Sequence, residues 1–366
     1  MQQLVRDNAA RLSEVVQALR GTLPALLPGF TVKILDGNCI AGTEHRIEEL
    51  RGIAAAPLPG KTLNVFDPQL GLVTDVFPCE DGHAQERALL GPVLDSVREG
   101  ELWIEDRNFC TVGWLGGVVV RRKAHVLVRE HKNLPWTAAN DLRYVGRTET
   151  GAVWEQDVTL TPEDGTVSAE DGAGLKLRRI LIKLDKPTRD GETELALLTD
   201  LTPEQADSLT LAHLYLERWQ IETVFQVLTE TLKCEHPRRG YPKAALFAFC
   251  VTLVAYNVLA VIKAALRVVH GTEKVENEVS LHHVTGEIRR THAGMMIAVR
   301  PPEWVLFRGM SATELANVLR ELATQVDLSK YKKAATRTKK EKTARMYDPK
   351  HPHVSTYKIL AERKRR

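Results

Sequence analysis

The chain has 366 residues, of which 43% are apolar, 27% charged and 6% aromatic, and its formal net charge is +3. This composition is typical of a globular protein and excludes a wholly disordered chain, which needs low hydrophobicity and high net charge. The five cysteines include no CxxC pair, which argues against a disulfide framework and against a thiolate zinc site. The length is sufficient for two domains or for one large domain with an insertion.

Positive charge is concentrated at the C-terminal end. From Lys330 to Arg366 there are 14 Lys and Arg residues against 3 acids, so the remainder of the chain is mildly acidic. A basic segment of this kind is typical of proteins that hold a polyanion, because each neutralised phosphate releases counterions. The alternative is a solvated tail that only aids solubility. We call residues 330–366 the basic tail.

Helix and strand patterns alternate through the first third of the chain. Residues 1–25 carry apolar positions near helical spacing. They lack the apolar segment that a secretory signal needs, which favours a cytoplasmic protein. Short β-branched or alternating runs predict strands at 31–36, 61–67, 71–78, 101–109 and 125–130. A turn at 68–71 joins the second and third of these strands.

The pattern changes twice in the second half of the chain. Residues 131–200 contain short alternating runs separated by Gly, Asp and Thr, which predict a small antiparallel β unit. A helical period returns at 203–233. The apolar stretch at 244–262 is nearly long enough to span a membrane. We interpret it as a buried core helix instead, because it carries polar residues such as Thr252 and Asn257 and has no second candidate beside it.

Three acidic residues stand where phosphodiester chemistry would need them. Asp36 and Asp106 each follow a predicted strand, and Glu222 lies within the predicted helix. The carboxyl ends of neighbouring strands meet at one edge of an α/β sheet, and two hard divalent ions about 3.5–4 Å apart require carboxylate ligands. Taken singly, each acid has an alternative: Asp36 as a turn former, and the other two as solvated acids in ordinary ion pairs.

The predicted helix around Glu222 carries a polar stripe. At 100° per residue, one face presents an aromatic residue, an arginine, the acid, an amide and a lysine: Tyr215, Arg218, Glu222, Gln226 and Lys233. Such a face suits a surface that holds a cation and grips phosphate, because arginine binds phosphate through two parallel hydrogen bonds. The alternative is an ordinary i,i+4 ion pair between Arg218 and Glu222.

These residues resemble a known family. The run YLERWQIETVF at 215–225 resembles the Y-x2-R-x3-E signature of the DDE transposases of the IS4 group. The segments 31–51 and 102–109 resemble the regions that hold that family's two aspartates, and 189–201 is similar to the approach to its signature helix. The likeness covers about residues 30–265, with the three motifs in the family's order.

The resemblance implies an α/β fold: a ribonuclease H-like mixed sheet with flanking helices, an inserted antiparallel β subdomain and a helical C-terminal region. It implies that three acids are catalytic and hold two Mg²⁺ ions, with Mn²⁺ as a substitute: Asp36, Asp106 and Glu222. Tyr215 and Arg218 would contact DNA phosphate. The implied reaction is metal-dependent cleavage at the terminal repeats of an insertion sequence, followed by strand transfer into target DNA. The implied partners are double-stranded DNA and a second copy of the chain, with no membrane.

The same resemblance suggests a division of the chain into six segments. They are a helical segment that includes part of a DNA-binding region (1–28), the first part of the core (29–130), the β insertion (131–200), the catalytic helix with the following core helix (201–266), a helical C-terminal region (267–329) and the basic tail (330–366).

Two features depart from the family pattern. Thr229 stands where the signature has a lysine, and we expect Lys233, one helical turn later, to substitute in part with help from Gln226. Only 35 residues precede Asp36, whereas relatives usually carry a larger N-terminal region that recognises the element's end. These departures favour an alternative function, a shortened and inactive transposase that acts as a DNA-binding regulator or remnant. A plain nuclease would share the chemistry without the joining step.

Two further sites are candidates for DNA contact. Trp154 lies on an alternating run of the β unit, where it could stack on an unpaired base or pack within the sheet. Three consecutive basic residues precede a predicted strand and could touch the DNA backbone or be solvated: Arg121, Arg122 and Lys123.

Overall fold

The computed structural model describes residues 1–40, 47–50, 57–161, 174–188, 190–234, 240–334 and 354–365. Its strands are β1 (Thr31–Ile40), β2 (Pro57–Leu58), β3 (Gly60–Asp67), β4 (Leu72–Cys79), β5 (Glu101–Glu105), β6 (His125–Arg129), β7 (Trp136–Ala138), β8 (Arg143–Arg147), β9 (Gly151–Leu160), β10 (Leu175–Leu184), β11 (Glu194–Thr199) and β12 (Val354–Ser355). Its α-helices are α1 (Gln2–Leu19), α2 (Leu90–Ser96), α3 (Val112–Gly116), α4 (Ser208–Leu216), α5 (Trp219–Gln226), α6 (Pro242–His270), α7 (Thr272–Glu278), α8 (Leu281–Ala298), α9 (Val305–Arg308), α10 (Ala312–Thr324) and α11 (Thr356–Arg365).

A ten-stranded mixed sheet runs through the described part of the chain. Its strand order is β4-β3-β1-β5-β6-β11-β10-β9-β7, and β8 also pairs with β9. The central strands β1, β5 and β6 are parallel, and the remaining pairs of this sheet are antiparallel. The expected α/β fold, with a mixed sheet, flanking helices and a helical C-terminal region, is confirmed. The antiparallel strands predicted at 131–200 extend this same sheet through β11.

Side-chain alternation gives the sheet two buried faces. One face carries Ile34, Ile104 and Leu127, and it packs against α1, α4, α5 and α6. The opposite face carries Leu35 and Trp103, and it packs against α2 and α3. Because helices cover both faces, the central strands are almost continuously apolar in sequence rather than alternating.

Helix α6 is a core helix of the described fold. It is the one described helix that is long and apolar enough to cross a membrane, and 67% of its most apolar window is buried inside the protein. Its buried Asn257 accepts a hydrogen bond from Val73 N at 2.9 Å and donates one to Val73 O at 2.9 Å. This amide ties α6 to the edge strand β4. The prediction of a buried helix at 244–262 is therefore confirmed.

The two ends of the described chain pack against the body. Helix α1 ends before Arg20, whose φ of 58° is left-handed. The helix predicted within 1–25 is thus confirmed, and it ends next to Gly21, where the sequence predicts its stop. At the other end, β12 pairs with β2, and Lys358 forms an ion pair with Asp81. Most of the basic tail lies outside the described residues, so its role in holding DNA stays a prediction.

Candidate active site

Two of the predicted acids lie side by side on the sheet. Leu35 of β1 and Glu105 of β5 are partners in the parallel pairing of these strands. Asp36 follows Leu35, and Asp106 follows Glu105. Neighbouring strands are about 4.8 Å apart. Asp36 does not end its strand as predicted, because β1 continues to Ile40 through antiparallel pairing with β3. It lies where the parallel pairing with β5 ends, at the carboxyl edge of the central strands.

Hydrogen bonds from Arg218 connect the third predicted acid, Glu222, to Asp36 at this edge. Arg218 donates one hydrogen bond from Nη1 to Asp36 Oδ2 at 2.9 Å and another from Nη2 to Glu222 Oε1 at 2.8 Å. Asp36 and Arg218 are 182 residues apart in sequence. The i,i+4 ion pair expected as the plain alternative for Arg218 and Glu222 is present, and the same guanidinium also binds the first acid.

Asp36 is held in an environment that disfavours its charge. The pKa of Asp36 is raised to about 6: burial is the largest cause, and the negative charges of Glu222 and Asp106 act in the same direction. The Arg218 cation and the backbone N–H of Gly37, which donates to Asp36 Oδ1 at 2.8 Å, act in the opposite direction. The net shift shows that the cost of burying the Asp36 charge outweighs the stabilisation that Arg218 and the Gly37 N–H provide.

The raised pKa of Asp36 predicts a pH dependence of stability. The folded protein binds a proton on Asp36 more tightly than the unfolded chain does, so this group lowers the free energy of unfolding as pH rises from about 4 to about 6. The loss is on the order of 2–3 kcal/mol. We expect the metal-free wild type to lose stability relative to Asp36→Asn across this interval in urea titrations. A difference between the two proteins that does not change with pH would contradict the shift.

Arg218 is buried at the centre of the site. Its exposed fraction is 8%, and its guanidinium carbon lies 5.1 Å from the ring centroid of Trp219. Tyr215 is also buried, and its hydroxyl has no hydrogen-bond partner among the described residues. Burial raises the pKa of Tyr215 above its usual value, while Arg218 lowers it. The aromatic residue and the arginine of the predicted stripe therefore lie together, next to the acids.

The predicted helix over 203–233 is interrupted, and this changes the stripe. At Arg218 the backbone N–H bonds to the carbonyl of Tyr215, three residues back, instead of four. A wider π-helical turn follows at Val227–Thr231, and Lys233 has a left-handed φ of 56°. The 3.6-residue period does not extend to Lys233, which is exposed. The prediction that Lys233 lies on the same helical face as Arg218 and Glu222 was wrong. Its contact with DNA stays a prediction.

The residue that replaces the signature lysine turns back on its own helix. Thr229 Oγ1 donates to Phe225 O at 2.9 Å, a bond to the preceding turn that threonine often forms in helices. Gln226 is exposed and donates to Glu230 at 3.0 Å. Neither residue brings a positive charge toward the acids.

Sequence reasoning missed a pair of arginines at the same edge. Arg129 follows Val128, the partner of Glu105 in β5, so it continues the row of Asp36 and Asp106 on the next parallel strand. Arg129 and Arg107 both donate to the carboxylate of Glu192, the latter at 2.8 Å. These contacts span 63 and 85 residues, and no local pattern marks them.

A further carboxylate, that of Glu86, lies beside Gly37 in β1. A side chain at Gly37 would collide with the carboxylate of Glu86 in its present position. The other oxygen of Glu86 accepts a hydrogen bond from Asn108 at 3.4 Å. Glu86 comes from a short 3₁₀ turn at Glu86–Leu89, which has no sequence signature of its own.

Comparisons with known proteins fit this geometry. Residues 31–258, which hold all three acids, match the family described as the transposase DDE domain. The chain belongs to this transposase family.

Two relatives illustrate the range of similarity. A protein of Sinorhizobium fredii that bears the name of a transposase, y4zB, is 25% identical over 166 residues, or 45% of this chain and 44% of that protein. A cryo-EM structure of a piggyBac transposase synaptic complex with hairpin DNA overlaps 88% of this chain and 63% of its own, with 11% identity and a TM-score of 0.38. The chain thus spans less than two thirds of either relative.

DDE transposases generally use divalent metal ions. The donor set here fits such ions, because Asp36, Asp106 and Glu222 offer the carboxylate oxygens that hard cations prefer. A cation of another kind, the Arg218 guanidinium, already bridges two of them. In the described part of the chain, no three His, Cys, Asp or Glu side chains are close enough together to hold a metal ion in this arrangement.

The remaining DNA contacts predicted for this transposase lie away from the acids. The ring of Trp154 contacts Tyr144, at 5.4 Å between centroids, and Lys183, at 4.6 Å. The basic triplet of Arg121, Arg122 and Lys123 precedes β6, at the opposite end of that strand from Arg129. Arg122 forms an ion pair with Asp95 at 2.7 Å. A DNA role for these residues stays a prediction.

Proposed function

We propose that this chain is a DDE transposase of the IS4 type, which cuts DNA at the ends of an insertion sequence and joins the freed 3′ ends to target DNA. In this proposal Asp36, Asp106 and Glu222 are the catalytic acids, Mg²⁺ is the resident cation with Mn²⁺ as a substitute, and two copies of the chain act on two DNA ends.

One observation carries the proposal. Residues from three distant parts of the chain meet at the carboxyl edge of the parallel strands, with Arg218 bound to both Asp36 and Glu222. An isolated helical ion pair on the surface would be worth only a few tenths of a kcal/mol, and it would not draw in a carboxylate from the central strand. The convergence is what phosphodiester chemistry requires, and the family match covers the same residues.

The three carboxylates would hold the cations, and the rest of the site would hold the DNA. Bound divalent cations supply a nucleophile at neutral pH and stabilise the leaving oxygen. Asp36 and Asp106 present their oxygens from rigid neighbouring strands, while Glu222 approaches from the helix packed across that edge. The proposed order of events is hydrolysis of one strand at the element's end, followed by attack of the freed 3′-hydroxyl on target DNA.

The DNA backbone would bind along the arginines of the same edge. Arg218 presents a planar fork that suits a phosphate, and Tyr215 adds a hydroxyl with no hydrogen-bond partner in the described structure. Arg129 and Arg107 share the single carboxylate of Glu192, so this cluster has one positive charge left over. We infer that the phosphate next to the scissile one contacts Arg129.

This inference predicts the salt dependence of an Arg129→Gln variant. Each phosphate neutralised by the protein contributes about −0.9 to the slope of log Kobs against log salt concentration. The variant should bind a 30-base-pair duplex more weakly, with a slope shallower by about 1 in fluorescence anisotropy titrations. The matched control is Arg6→Gln. Arg6 lies on α1 and forms an ion pair with Asp75 at 2.7 Å. Equal slopes for Arg129→Gln and wild type would contradict the contact.

A second candidate function is an inactive, DNA-binding regulator. The observation that favours it is the loss of the signature lysine, because Thr229 bonds to its own helix and Lys233 lies beyond the π-helical turn. The intact acids favour the active enzyme, since a binding protein has no chemical need for them.

In vitro strand transfer tests the proposed function against both alternatives. Purified protein, Mg²⁺ and a duplex carrying the gene's own flanking DNA should yield nicks with 3′-hydroxyl ends and then products joined to a plasmid. Nicks without joining would indicate a plain nuclease. DNA binding without nicks would indicate the regulator.

A further inference from the structure

We propose that Arg218 is a lock on the metal site: in the DNA-free protein its guanidinium occupies the space between Asp36 and Glu222 that a divalent cation needs. A cation and a DNA phosphate would together draw it away. This inference rests on the proposed function, because it takes these acids and Asp106 as the ligands of the cation.

The geometry of the bridge supports occupation of the site by the arginine. The two terminal nitrogens of one rigid, planar fork bind one oxygen of Asp36 at 2.9 Å and one of Glu222 at 2.8 Å. The two carboxylates are thus held apart with a positive charge between them. This explains why the described residues include no ready-made group of three metal ligands, although three acids are near one another.

Another buried arginine of this protein, Arg178, has all of its donors paired. Arg178 is 6% exposed, close to the 8% of Arg218. Its Nε and both terminal nitrogens donate to partners, which are Glu155, Ser208 and two backbone carbonyls. Arg218 has no hydrogen-bond partner at its buried Nε among the described residues, a feature it shares with Arg267, which joins Glu276 to Gly21. A buried donor left without a partner does not recover its desolvation cost, which lowers the free energy needed to move the group.

The bridge can open at one end. The Glu222 side chain is 39% exposed, whereas those of Asp36 and Arg218 are 19% and 9% exposed. A hydrated cation can therefore approach Glu222 from solvent, and the guanidinium can leave that carboxylate first. A DNA phosphate arriving at the same edge offers Arg218 an equivalent bidentate partner.

The lock couples cation binding to DNA binding. The guanidinium and the cation compete for the same oxygens, so each weakens the other. A phosphate that binds Arg218 removes the competitor, so DNA raises the affinity for the cation, and by linkage the cation raises the affinity for DNA by the same factor. The functional result is a site that takes up its cation when DNA is in place.

Calorimetric titration of the full chain with Mn²⁺, in the absence of DNA, tests the lock. We expect Arg218→Gln to bind Mn²⁺ about 5- to 150-fold more tightly than the wild type, the usual range of coupling between two sites. The control is Arg6→Gln, because Arg6 lies on α1 and donates two hydrogen bonds to Asp75. This variant should bind Mn²⁺ with the affinity of the wild type.

Arg218→Lys separates the lock from general charge repulsion. Lysine keeps the positive charge but lacks the planar fork, so it cannot bridge both carboxylates in the same way. The lock predicts an affinity for Mn²⁺ between those of the wild type and Arg218→Gln. An affinity equal to that of the wild type would overturn it in favour of simple charge repulsion. If circular dichroism shows that Arg218→Gln is unfolded, the comparison of Arg218→Lys with the wild type tests the lock on its own.

Trp219 reports movement of the arginine directly. Its ring lies 5.1 Å from the Arg218 guanidinium carbon and is 57% exposed. Mg²⁺ should change the tryptophan emission of the wild type, and this change should be absent in Trp219→Phe and in Arg218→Gln.

Two results would overturn the inference in distinguishable ways. If the wild type binds Mn²⁺ and a folded Arg218→Gln binds it no more tightly, the lock is wrong while the proposed metal-dependent function stands. If neither the wild type nor the variants bind Mn²⁺, both the lock and that function are wrong.

Discussion

Replacing Asp106 with asparagine should leave a folded, DNA-binding protein that cleaves DNA at least about 100-fold more slowly than the wild type. Loss of a residue that only supports a metal ligand already costs about 10- to 100-fold in metal affinity or activity, and Asp106 is proposed as a ligand itself. Its side chain forms no capping hydrogen bond to the 3₁₀ turn that follows, Arg107–Phe109, so the amide should not disturb the fold. Rates of nicking on a labelled duplex in Mg²⁺ measure the effect.

The control for this prediction is Asp95→Asn. Asp95 is an acid whose side chain pairs with Arg122 at 2.7 Å, is 80% exposed and lies at the end of helix α2. Its variant should cut DNA like the wild type. If Asp106→Asn cuts DNA at the rate of the wild type, Asp106 is not a ligand and the proposed site is wrong.

Replacing Phe249 with alanine should destabilise the fold by about 3–5 kcal/mol. Phe249 lies on α6, is fully buried and belongs to the core between the sheet and its helices. The substitution leaves a cavity that surrounding side chains refill only in part, which adds to the lost transfer free energy. Urea unfolding followed by circular dichroism measures the change.

A neighbour on the same helix provides the matched control. Phe247 is 50% exposed, and Phe247→Ala should change the free energy of unfolding by a much smaller amount. Equal and small effects at the two positions would mean that α6 does not form the core as described, and the membrane interpretation of this apolar stretch would then regain support.

Much of the fold could be predicted because the signals are local. The turn at 68–71 joins β3 and β4 as expected, and the apolar stretch at 244–262 marks α6. The short apolar runs around Ile34 and Ile104 predict strands, and strands of that kind in an α/β protein pair in parallel with their carboxyl ends together. The acids that follow these runs could therefore be placed at one edge.

The parts that could not be predicted depend on long-range contacts or on irregular backbone. The cluster of Arg107, Arg129 and Glu192 joins a turn, a strand and a distant loop, and each residue alone looks like a solvated charge. The π-helical turn at Val227–Thr231 breaks the 3.6-residue period. The prediction that used this period therefore placed Lys233 on the wrong face. The bridge from Arg218 to Asp36 could not be foreseen either, because the helical pair with Glu222 explains the arginine locally.

The most direct test of the central claim is excision in cells. The gene's own flanking DNA is placed around a selectable marker, and the protein is supplied in trans as the wild type or as Glu222→Ala. The proposed function predicts marker excision with the wild type alone. Failure of the wild type to excise, with the protein present and able to bind the flanking DNA, would contradict an active transposase and support the inactive regulator.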